Sequence, residues 1–324
     1  MRSAPLALSA AARASIDSCG YPDVVFCSDM LDLPQWRGML RDSQILETPT
    51  AVYFHENQWT YPLSPDARVD SHFGYTNLLS ALAADACWFN SVFHRDDFLK
   101  ASDSFVQQMP DSRRDHHFAQ LAQRCKVLAP GFVPPQCMPP RVENQTITIG
   151  WVSRWEHDKR PDRLLDLVGR LDQRGIDFRL VLLGRRPRQT PGPLAELRKR
   201  FADRILHDAF AETVQEYWAW LRSMDVVVST ADHEFFGIAV CEAIWAGAAP
   251  VLPNRLSYPE LVPGESLYDS LDQAVSMISD LRSTEIRAQR IHSSQNQVSA
   301  LRIETTVAAF DGAVRSLVRS GTQS

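Results

Sequence analysis

Short apolar segments alternate with longer amphipathic patterns along most of the chain. The apolar segments are nearly continuous, as in parallel strands that are buried on both faces of a sheet. Between them, apolar residues recur at helical spacing, for example Leu164, Leu167 and Leu171. The pattern predicts an α/β protein with doubly wound, Rossmann-like sheets. The predicted strands cover residues 24–27, 51–54, 86–90, 126–128, 147–152, 179–183, 204–207, 226–229 and 249–252.

A proline-rich segment divides this pattern in two. Residues 129–141 have the composition of an interdomain linker, with prolines at Pro130, Pro134, Pro135, Pro139 and Pro140. We therefore expect one domain over residues 1–140 and a second over residues 141–296. The final segment, 297–324, is predicted to form a long helix that packs back across the junction, because its apolar residues recur at helical spacing: Val298, Leu301, Val307, Phe310, Val314 and Leu317.

The composition is that of an ordinary globular protein. Of 324 residues, 44% are apolar and 23% charged, and the net charge of −5 does not indicate a generally basic, nucleic-acid-binding surface. No apolar run reaches the roughly 18 residues of a membrane span. Arg13 and Asp17 interrupt the N-terminal apolar stretch, which favours an amphipathic helix over a signal peptide. The six cysteines show no CxxC spacing, which indicates a reduced, cytoplasmic protein without a zinc site.

The strongest chemical signal lies at residues 233–243, directly after a predicted strand. Gly237 lets the backbone approach a ligand closely, and the first amides of the helix predicted to begin near Phe236 attract an anion such as a diphosphate. Glu234 precedes this helix, and Glu242 lies about two turns inside it. Carboxylates suit sugar hydroxyls, which donate hydrogen bonds. Each glutamate alone could be a helix-start acid or a solvated residue, but the combined pattern favours a nucleotide-sugar site.

A second signal follows the predicted strand at residues 147–152. Pro161 marks the first turn of the next helix, because proline is tolerated at that position. Arg154 and Lys159 therefore lie in a loop at the carboxyl end of the sheet, where such folds bind ligands. Two cations there would neutralise a departing nucleoside diphosphate. A solvated basic loop is the alternative.

A third signal, residues 53–58, follows a strand of the first domain. His55, Glu56, Asn57 and Gln58 could orient hydroxyl groups and manage protons there. The alternative is that His55 only marks the end of the strand. A zinc site is less favoured than either, because no second His or Cys lies at the spacing of a zinc ligand. Asn90 and Ser91 follow the next strand and could line the same cleft or cap a helix.

One further turn begins at Tyr258, after the predicted strand at residues 249–252. Its amides could contact the donor base or ribose, and a turn without a ligand fits equally well.

Residues 54–58, 89–93, 154–159 and 233–237 together resemble the tRNA-queuosine α-mannosyltransferases. This group is similar to the family-four retaining glycosyltransferases, which carry a Glu-x7-Glu motif. The resemblance runs from about Ser28 to Leu261. It implies two facing Rossmann-like domains of the GT-B type. It also implies transfer of mannose from GDP-mannose to queuosine in the anticodon of a tRNA for aspartate, with retention of configuration.

The resemblance also implies roles for individual residues. Arg154 and Lys159 would hold the diphosphate, while Glu234 would position the sugar and Glu242 the ribose. His55 would stabilise charge near the anomeric carbon, so that His55 and Glu234 are the expected catalytic residues. No metal or other cofactor is expected beyond the nucleotide-sugar donor. The expected donor site also includes Phe235, Phe236, Gly237 and Ile238, and the expected acceptor side consists of Glu56, Asn57, Gln58, Asn90 and Ser91.

Members of this group open with a strand and a Gly-rich loop that faces the donor phosphates. The present chain begins in the region that matches their first helix, so we expect a truncated first domain. Residues 113–117, 185–188 and 198–200 are basic candidates for tRNA contact, although each could also be a solvated face. Two alternatives stay open: a glycosyltransferase with a lipid or polysaccharide acceptor, and a nucleotide-binding protein with impaired catalysis.

Overall fold

The structure is a computed structural model that describes residues 3–62, 71–110, 117–141, 143–185 and 192–321. The chain forms two compact units. The first comprises Met1–Ala129 together with Thr306–Ser324, and the second comprises Pro130–Thr305.

The first unit contains a four-stranded parallel sheet with the strand order β1-β2-β3-β4. Its strands are β1 (Val25–Ser28), β2 (Thr50–Phe54), β3 (Ala86–Phe89) and β4 (Cys125–Val127). Its helices are α1 (Ala4–Cys19), α2 (Leu33–Leu40), α3 (Ser43–Glu47), α4 (His72–Ala83), α5 (Val92–Val106) and α6 (His117–Arg124).

Both faces of this sheet are buried, as the residues of strand β2 illustrate. All five of its residues are buried, and successive side chains point to opposite faces. Val52 and Phe54 join the core that includes Leu33, Leu78 and other residues of the flanking helices. Ala51 and Tyr53 belong to a second cluster on the other face.

The second unit contains a six-stranded parallel sheet with the order β10-β9-β8-β5-β6-β7. Its strands are β5 (Thr148–Val152), β6 (Arg179–Leu183), β7 (Ile205–Ala209), β8 (Val226–Val228), β9 (Ala249–Pro253) and β10 (Leu267–Tyr268). Its helices are α7 (Pro161–Gln173), α8 (Gly192–Arg200), α9 (Val214–Ser223), α10 (Ile238–Ala246), α11 (Tyr258–Leu261), α12 (Leu271–Asp280) and α13 (Thr284–Val298).

The strand order of the second sheet determines where a ligand can bind. From β5 the chain moves to β6 on one side, and later returns to place β8 on the other side. Such a reversal opens a crevice between the loops that leave the two adjacent strands. The segments after β5 and β8 therefore form the expected binding position in this unit.

A buried carboxylate ties together the start of the second sheet. Asp225 is 3% exposed and accepts hydrogen bonds from the Thr148 amide and the Asn144 side chain, both at 2.9 Å. Arg141 contributes an ion pair at 3.0 Å. These contacts join the last residues of the proline-rich segment to β5 and β8.

The predicted α/β class is confirmed, and each predicted strand overlaps an observed one. Strand β10 was missed because it is only two residues long. Helix α10 begins at Ile238 rather than near Phe236, because Gly237 has a left-handed conformation with φ of 98°.

The C-terminal segment differs from the single long helix expected. It consists of α13, a short turn at Ser299–Leu301, and α14 (Ile303–Gly321). The break coincides with Phe132, whose amide donates to the Leu301 carbonyl at 3.1 Å and whose carbonyl accepts from Ile303 at 3.0 Å. Residues of α14 pack against Tyr53 and Trp88 in the first unit: Phe310, Ala313, Val314 and Leu317.

The compact units divide at Ala129, where the proline-rich segment begins, whereas the predicted boundary is residue 140. The reason is that Phe132 and Arg141 bond to the second unit. The segment 297–324, expected to be a single long helix with a tail, is divided between the units at Thr306.

Candidate active site

A cavity of about 190 Å³ lies at the crevice of the second unit. The loop after β5 contributes Arg154 and Lys159 to its lining, and the segment after β8 contributes Glu234 and Gly237. With Ile238, five of the residues predicted to bind the donor therefore line one cavity. The cavity also includes Trp151, Ser153, Ser229, Ala239, Val240 and Tyr258.

Lys159 lies in the short turn that precedes α7 and is 8% exposed. Its ammonium donates to the His233 carbonyl at 2.7 Å and to Glu234 Oε2 at 3.2 Å, and lies 3.3 Å from Asp158 Oδ2. Burial acts to lower the pKa of Lys159, but the charges of Glu234 and Asp158 outweigh it and raise the pKa above its ordinary value. Lys159 is therefore a fixed cation at neutral pH.

Arg154 is the more exposed of the two cations, with 52% of its side chain exposed against 10% for Lys159. It lies 3.7 Å from Glu156, an ion pair that is open to solvent. Such a pair is weak. Arg154 therefore contributes a solvent-accessible positive charge to the lining of the cavity.

The N-terminus of α10 forms another part of the cavity. Gly237 occupies the capping position, and the Val240 and Cys241 amides both donate to its carbonyl. The Ile238 and Ala239 amides precede the first intrahelical hydrogen bonds, as in any helix start. Together with the helix dipole, they favour an anion at this end.

The segment that carries Glu234 is held on several sides. Glu234 Oε1 accepts a long hydrogen bond from the Phe236 amide at 3.4 Å, and the Ser257 hydroxyl donates to the Phe236 carbonyl at 3.0 Å. Phe235 and Phe236 are buried, and neither lines the cavity. Burial lowers the pKa of the preceding His233 to about 4, so this imidazole is neutral at pH 7.

Asp232 fixes the beginning of the same segment. Its carboxylate forms ion pairs with Arg160, Arg163 and Arg255. Its amide donates to the Asp158 carbonyl at 2.8 Å. The loop after β5 and the segment after β8 are therefore bonded to each other as well as to their own strands.

Glu242 does not line the cavity. It lies one turn further along α10 than the cavity-lining Ile238, and its Oε2 accepts a hydrogen bond from the Tyr217 hydroxyl at 2.6 Å. Burial raises the pKa of Glu242, and the Tyr217 hydrogen bond acts in the opposite direction. Its place on the same face as Ile238 leaves it next to the cavity.

In the first unit, His55 follows β2 and has a fixed partner. Its Nδ1 lies 3.0 Å from Asp29 Oδ1; the imidazole is 56% exposed, whereas the Asp29 side chain is 1% exposed. The hydrogen bond to Asp29 raises the pKa of His55, although partial burial opposes the shift. The pair presents an oriented imidazole at the carboxyl end of the sheet.

The other residues expected on the acceptor side mainly support this loop. Asn57 is fully buried, where its amide donates to Asp97 at 2.7 Å, and Gln58 donates to Glu56 at 3.3 Å. Asn90 donates to the His55 carbonyl at 3.1 Å. Ser91 caps α5 by accepting from the His94 amide, which is the capping alternative considered for this pair.

Sequence reasoning missed Asp29, Tyr217 and Tyr258 as candidate functional residues. Asp29 directly follows β1, so the rule that selected His55 would also have found it. Tyr258 was considered only for its amides, but its buried side chain lines the cavity and its hydroxyl lies 2.6 Å from Ser229 Oγ. Tyr217 carried no local signal.

The basic clusters suggested for tRNA contact have different outcomes. Residues 113–116 and residues 186–188 lie outside the described residues. Arg198 and Arg200 on α8 form ion pairs with Asp208 and Asp172.

The described parts of the chain contain no group of three or more His, Cys, Asp or Glu side chains arranged to hold a metal ion. None of their helices combines the length and apolar character needed to cross a bilayer.

The chain matches two family models. Residues 1–132 match the N-terminal domain of tRNA-queuosine α-mannosyltransferase, and residues 146–279 match the glycosyl transferases group 1.

Curated relatives include the tRNA-queuosine α-mannosyltransferase of Drosophila melanogaster. It is 34% identical over 260 residues, which cover 76% of this chain and 67% of the relative. A Mycobacterium tuberculosis relative is the GDP-mannose-dependent α-(1-6)-phosphatidylinositol dimannoside mannosyltransferase. It is 23% identical over 252 residues, which cover 76% of this chain and 60% of that protein.

Solved structures with the same fold include sucrose-phosphate synthase from Thermosynechococcus elongatus. Its TM-score is 0.70 at 16% identity, with 97% of this chain and 78% of that chain covered. The Anabaena HepE protein in complex with UDP-glucose gives a TM-score of 0.68 at 16% identity, with coverage of 95% and 82%. These likenesses show a GT-B fold with two Rossmann-like domains. The Drosophila relative and the family models also identify the family, and the chain belongs to the tRNA-queuosine α-mannosyltransferases.

Proposed function

We propose that this protein is a retaining hexosyltransferase that moves mannose from GDP-mannose to queuosine in the anticodon of a tRNA for aspartate. The observation that carries the proposal is the cavity of the second unit, where two cations, a helix N-terminus and a carboxylate converge. The family membership supports the choice of sugar and acceptor.

In this proposal the cavity holds the diphosphate of the donor. Lys159 and Arg154 neutralise its charge, and the first amides of α10 donate to its oxygens. Departure of the diphosphate adds negative charge where these groups already lie. The donor thus needs no metal ion to leave, and we expect turnover to persist in the presence of a chelator.

Glu234 is assigned to the sugar and Glu242 to the ribose. Glu234 keeps Oε1 near the Phe236 amide and Oε2 near Lys159, so its carboxylate is oriented at the mouth of the cavity. An oriented carboxylate accepts hydrogen bonds from sugar hydroxyls and places the anomeric carbon. His55 belongs to the first unit, where Asp29 orients its imidazole, and its expected role in stabilising developing charge stays a prediction.

We place the reaction in the cytoplasm, where the reduced state of all six cysteines is stable. The acceptor in the proposal is a folded tRNA rather than a free nucleoside.

The direct test is incubation of the purified protein with labelled nucleotide sugars and tRNA that contains queuosine. We expect label in tRNA from GDP-mannose, and a mannosylated queuosine after nuclease digestion and mass spectrometry. An active family member serves as the positive control. Absence of label in tRNA, with that control active, would refute the proposal.

Two further arms separate the alternatives. Lipid extracts and polysaccharide acceptors are offered with the same donors, and label there alone would favour the other acceptor class. Glu234→Ala should abolish turnover and leave most GDP affinity, whereas a protein that only binds nucleotide would show no turnover in either form.

A further inference from the structure

Tyr217 occupies a position in the second unit that the proposed mechanism does not yet use. It lies in α9, and its hydroxyl donates to Glu242 Oε2 at 2.6 Å. The two residues are 25 positions apart in the chain, and each belongs to a helix that packs against the other. The contact therefore depends on the packing of α9 against α10.

The tyrosine is held firmly on its own helix. The neighbouring Trp218 and Leu221 are buried in the core, and Thr213 caps the helix by accepting from the Glu216 amide. A helix anchored in this way restricts the positions that the Tyr217 hydroxyl can reach. A short hydrogen bond to an ionised group is about twice as strong as a neutral one.

This bond leaves half of the carboxylate available. Glu242 Oε1 accepts no hydrogen bond from any residue that the structure describes. A helical side chain leans over the turn that precedes it, and that turn begins with Ile238, which lines the cavity. Glu242 therefore lies on the same helix face as the cavity-lining Ile238, one turn further along α10.

We propose that Tyr217 is a positioning residue that fixes the Glu242 carboxylate so that its second oxygen accepts a hydrogen bond from a ribose hydroxyl of the donor nucleotide. The inference rests on the proposed function, in which a guanosine diphosphate group occupies this cavity. It adds a residue that acts through Glu242 and does not itself touch the donor.

The test compares the affinity for GDP with the affinities for 2′-deoxy-GDP and 3′-deoxy-GDP, measured by titration calorimetry. The wild-type protein should bind GDP about tenfold more tightly than the analogue that lacks the recognised hydroxyl. Tyr217→Phe should reduce this ratio to about threefold or less, because it weakens the nucleotides that carry the recognised hydroxyl and not the analogue that lacks it. A merely structural role of Tyr217 would weaken all three nucleotides equally and leave the ratio unchanged.

Two variants complete the experiment. In Glu242→Ala the ratio should approach one, and adding Tyr217→Phe to it should cause no further change, because both act through one hydrogen bond. Gln215→Ala, an exposed position on the same helix, should keep the wild-type ratio. Since each ratio is measured within one variant, partial unfolding of a variant cannot imitate the expected result.

The outcomes distinguish the two claims. Two results would overturn the positioning role and leave the donor site intact. One is a wild-type ratio retained in Tyr217→Phe, and the other is a wild-type protein that binds GDP and both deoxy analogues equally tightly. Failure of the wild-type protein to bind GDP at all would overturn the proposed function and this inference with it.

Discussion

Lys159 contributes both to the stability of the second unit and to its proposed donor site, and substitutions can measure the two contributions separately. Its ammonium lies 3.3 Å from Asp158, whose side chain is fully buried, and 3.2 Å from Glu234. Among the described residues, the Asp158 carboxylate oxygens accept no hydrogen bond, so Lys159 is their compensating charge. In Lys159→Met, the buried Asp158 would lose that compensation.

The expected cost follows from this burial. Removing one partner of a buried ion pair costs about 3–5 kcal/mol, because the other charge stays buried without compensation. Glu234 is 26% exposed on its side chain, so solvent screens part of its loss. We expect about 3 kcal/mol, or a lowering of Tm by roughly 6–12 °C for a unit of this size.

The double variant Asp158→Asn with Lys159→Met provides the matched control. It removes both charges of the buried pair, so most of the lost stability should return. GDP binding should be weak in both variants, because Lys159 is absent from both. Thermal unfolding followed by circular dichroism, with calorimetric titration of GDP, measures the two effects separately. A single variant as stable as the wild type, or a double variant less stable than the single one, would refute this account of Lys159.

Three other variants test separate parts of the structure. Asp225→Ala removes a buried acceptor for Arg141, Asn144 and Thr148, and should lower the free energy of unfolding by about 3 kcal/mol or more, as measured by urea denaturation. Gly237→Ala places a side chain at φ of 98° and should lower the free energy of unfolding by about 1–2 kcal/mol. GDP binding should also weaken, with the fold unchanged. Unchanged stability would contradict the expected backbone strain. Asp29→Asn removes the carboxylate that raises the pKa of His55. The imidazole should then titrate at lower pH in an NMR titration, and an unshifted resonance would show that the pair does not form in solution. Because the folded-state pKa of His55 is raised, the stabilisation from this pair is present at low pH and is lost as the pH rises through that pKa.

Much of the fold was predictable from local patterns. The runs at residues 179–183 and 226–229 predicted β6 and β8 because a buried parallel strand is apolar at nearly every position. Pro161 marked the first residue of α7, since proline fits the first helical turn. The break between α13 and α14 was not predictable, because it depends on hydrogen bonds from Phe132, far away in the chain.

The candidate site was predictable only in part. Arg154, Lys159 and Glu234 each follow a strand, and their convergence on one cavity was expected from that position. Glu242 was expected at the donor site, but the structure places it beside the cavity with Tyr217 as partner. Phe235 and Phe236 were also expected at the donor site, and the structure buries both outside the lining of the cavity.

The sequence by itself determined which segments become strands and helices, and that polar residues follow the strands, because these properties depend on the periodicity of nearby residues. Only the tertiary structure decided that β5 lies between β6 and β8, and that Asp29 meets His55 and Tyr217 meets Glu242. These contacts join residues more than twenty positions apart. They arise when the helices and strands pack together and buried polar groups find partners, and no local pattern specifies which partner each group finds.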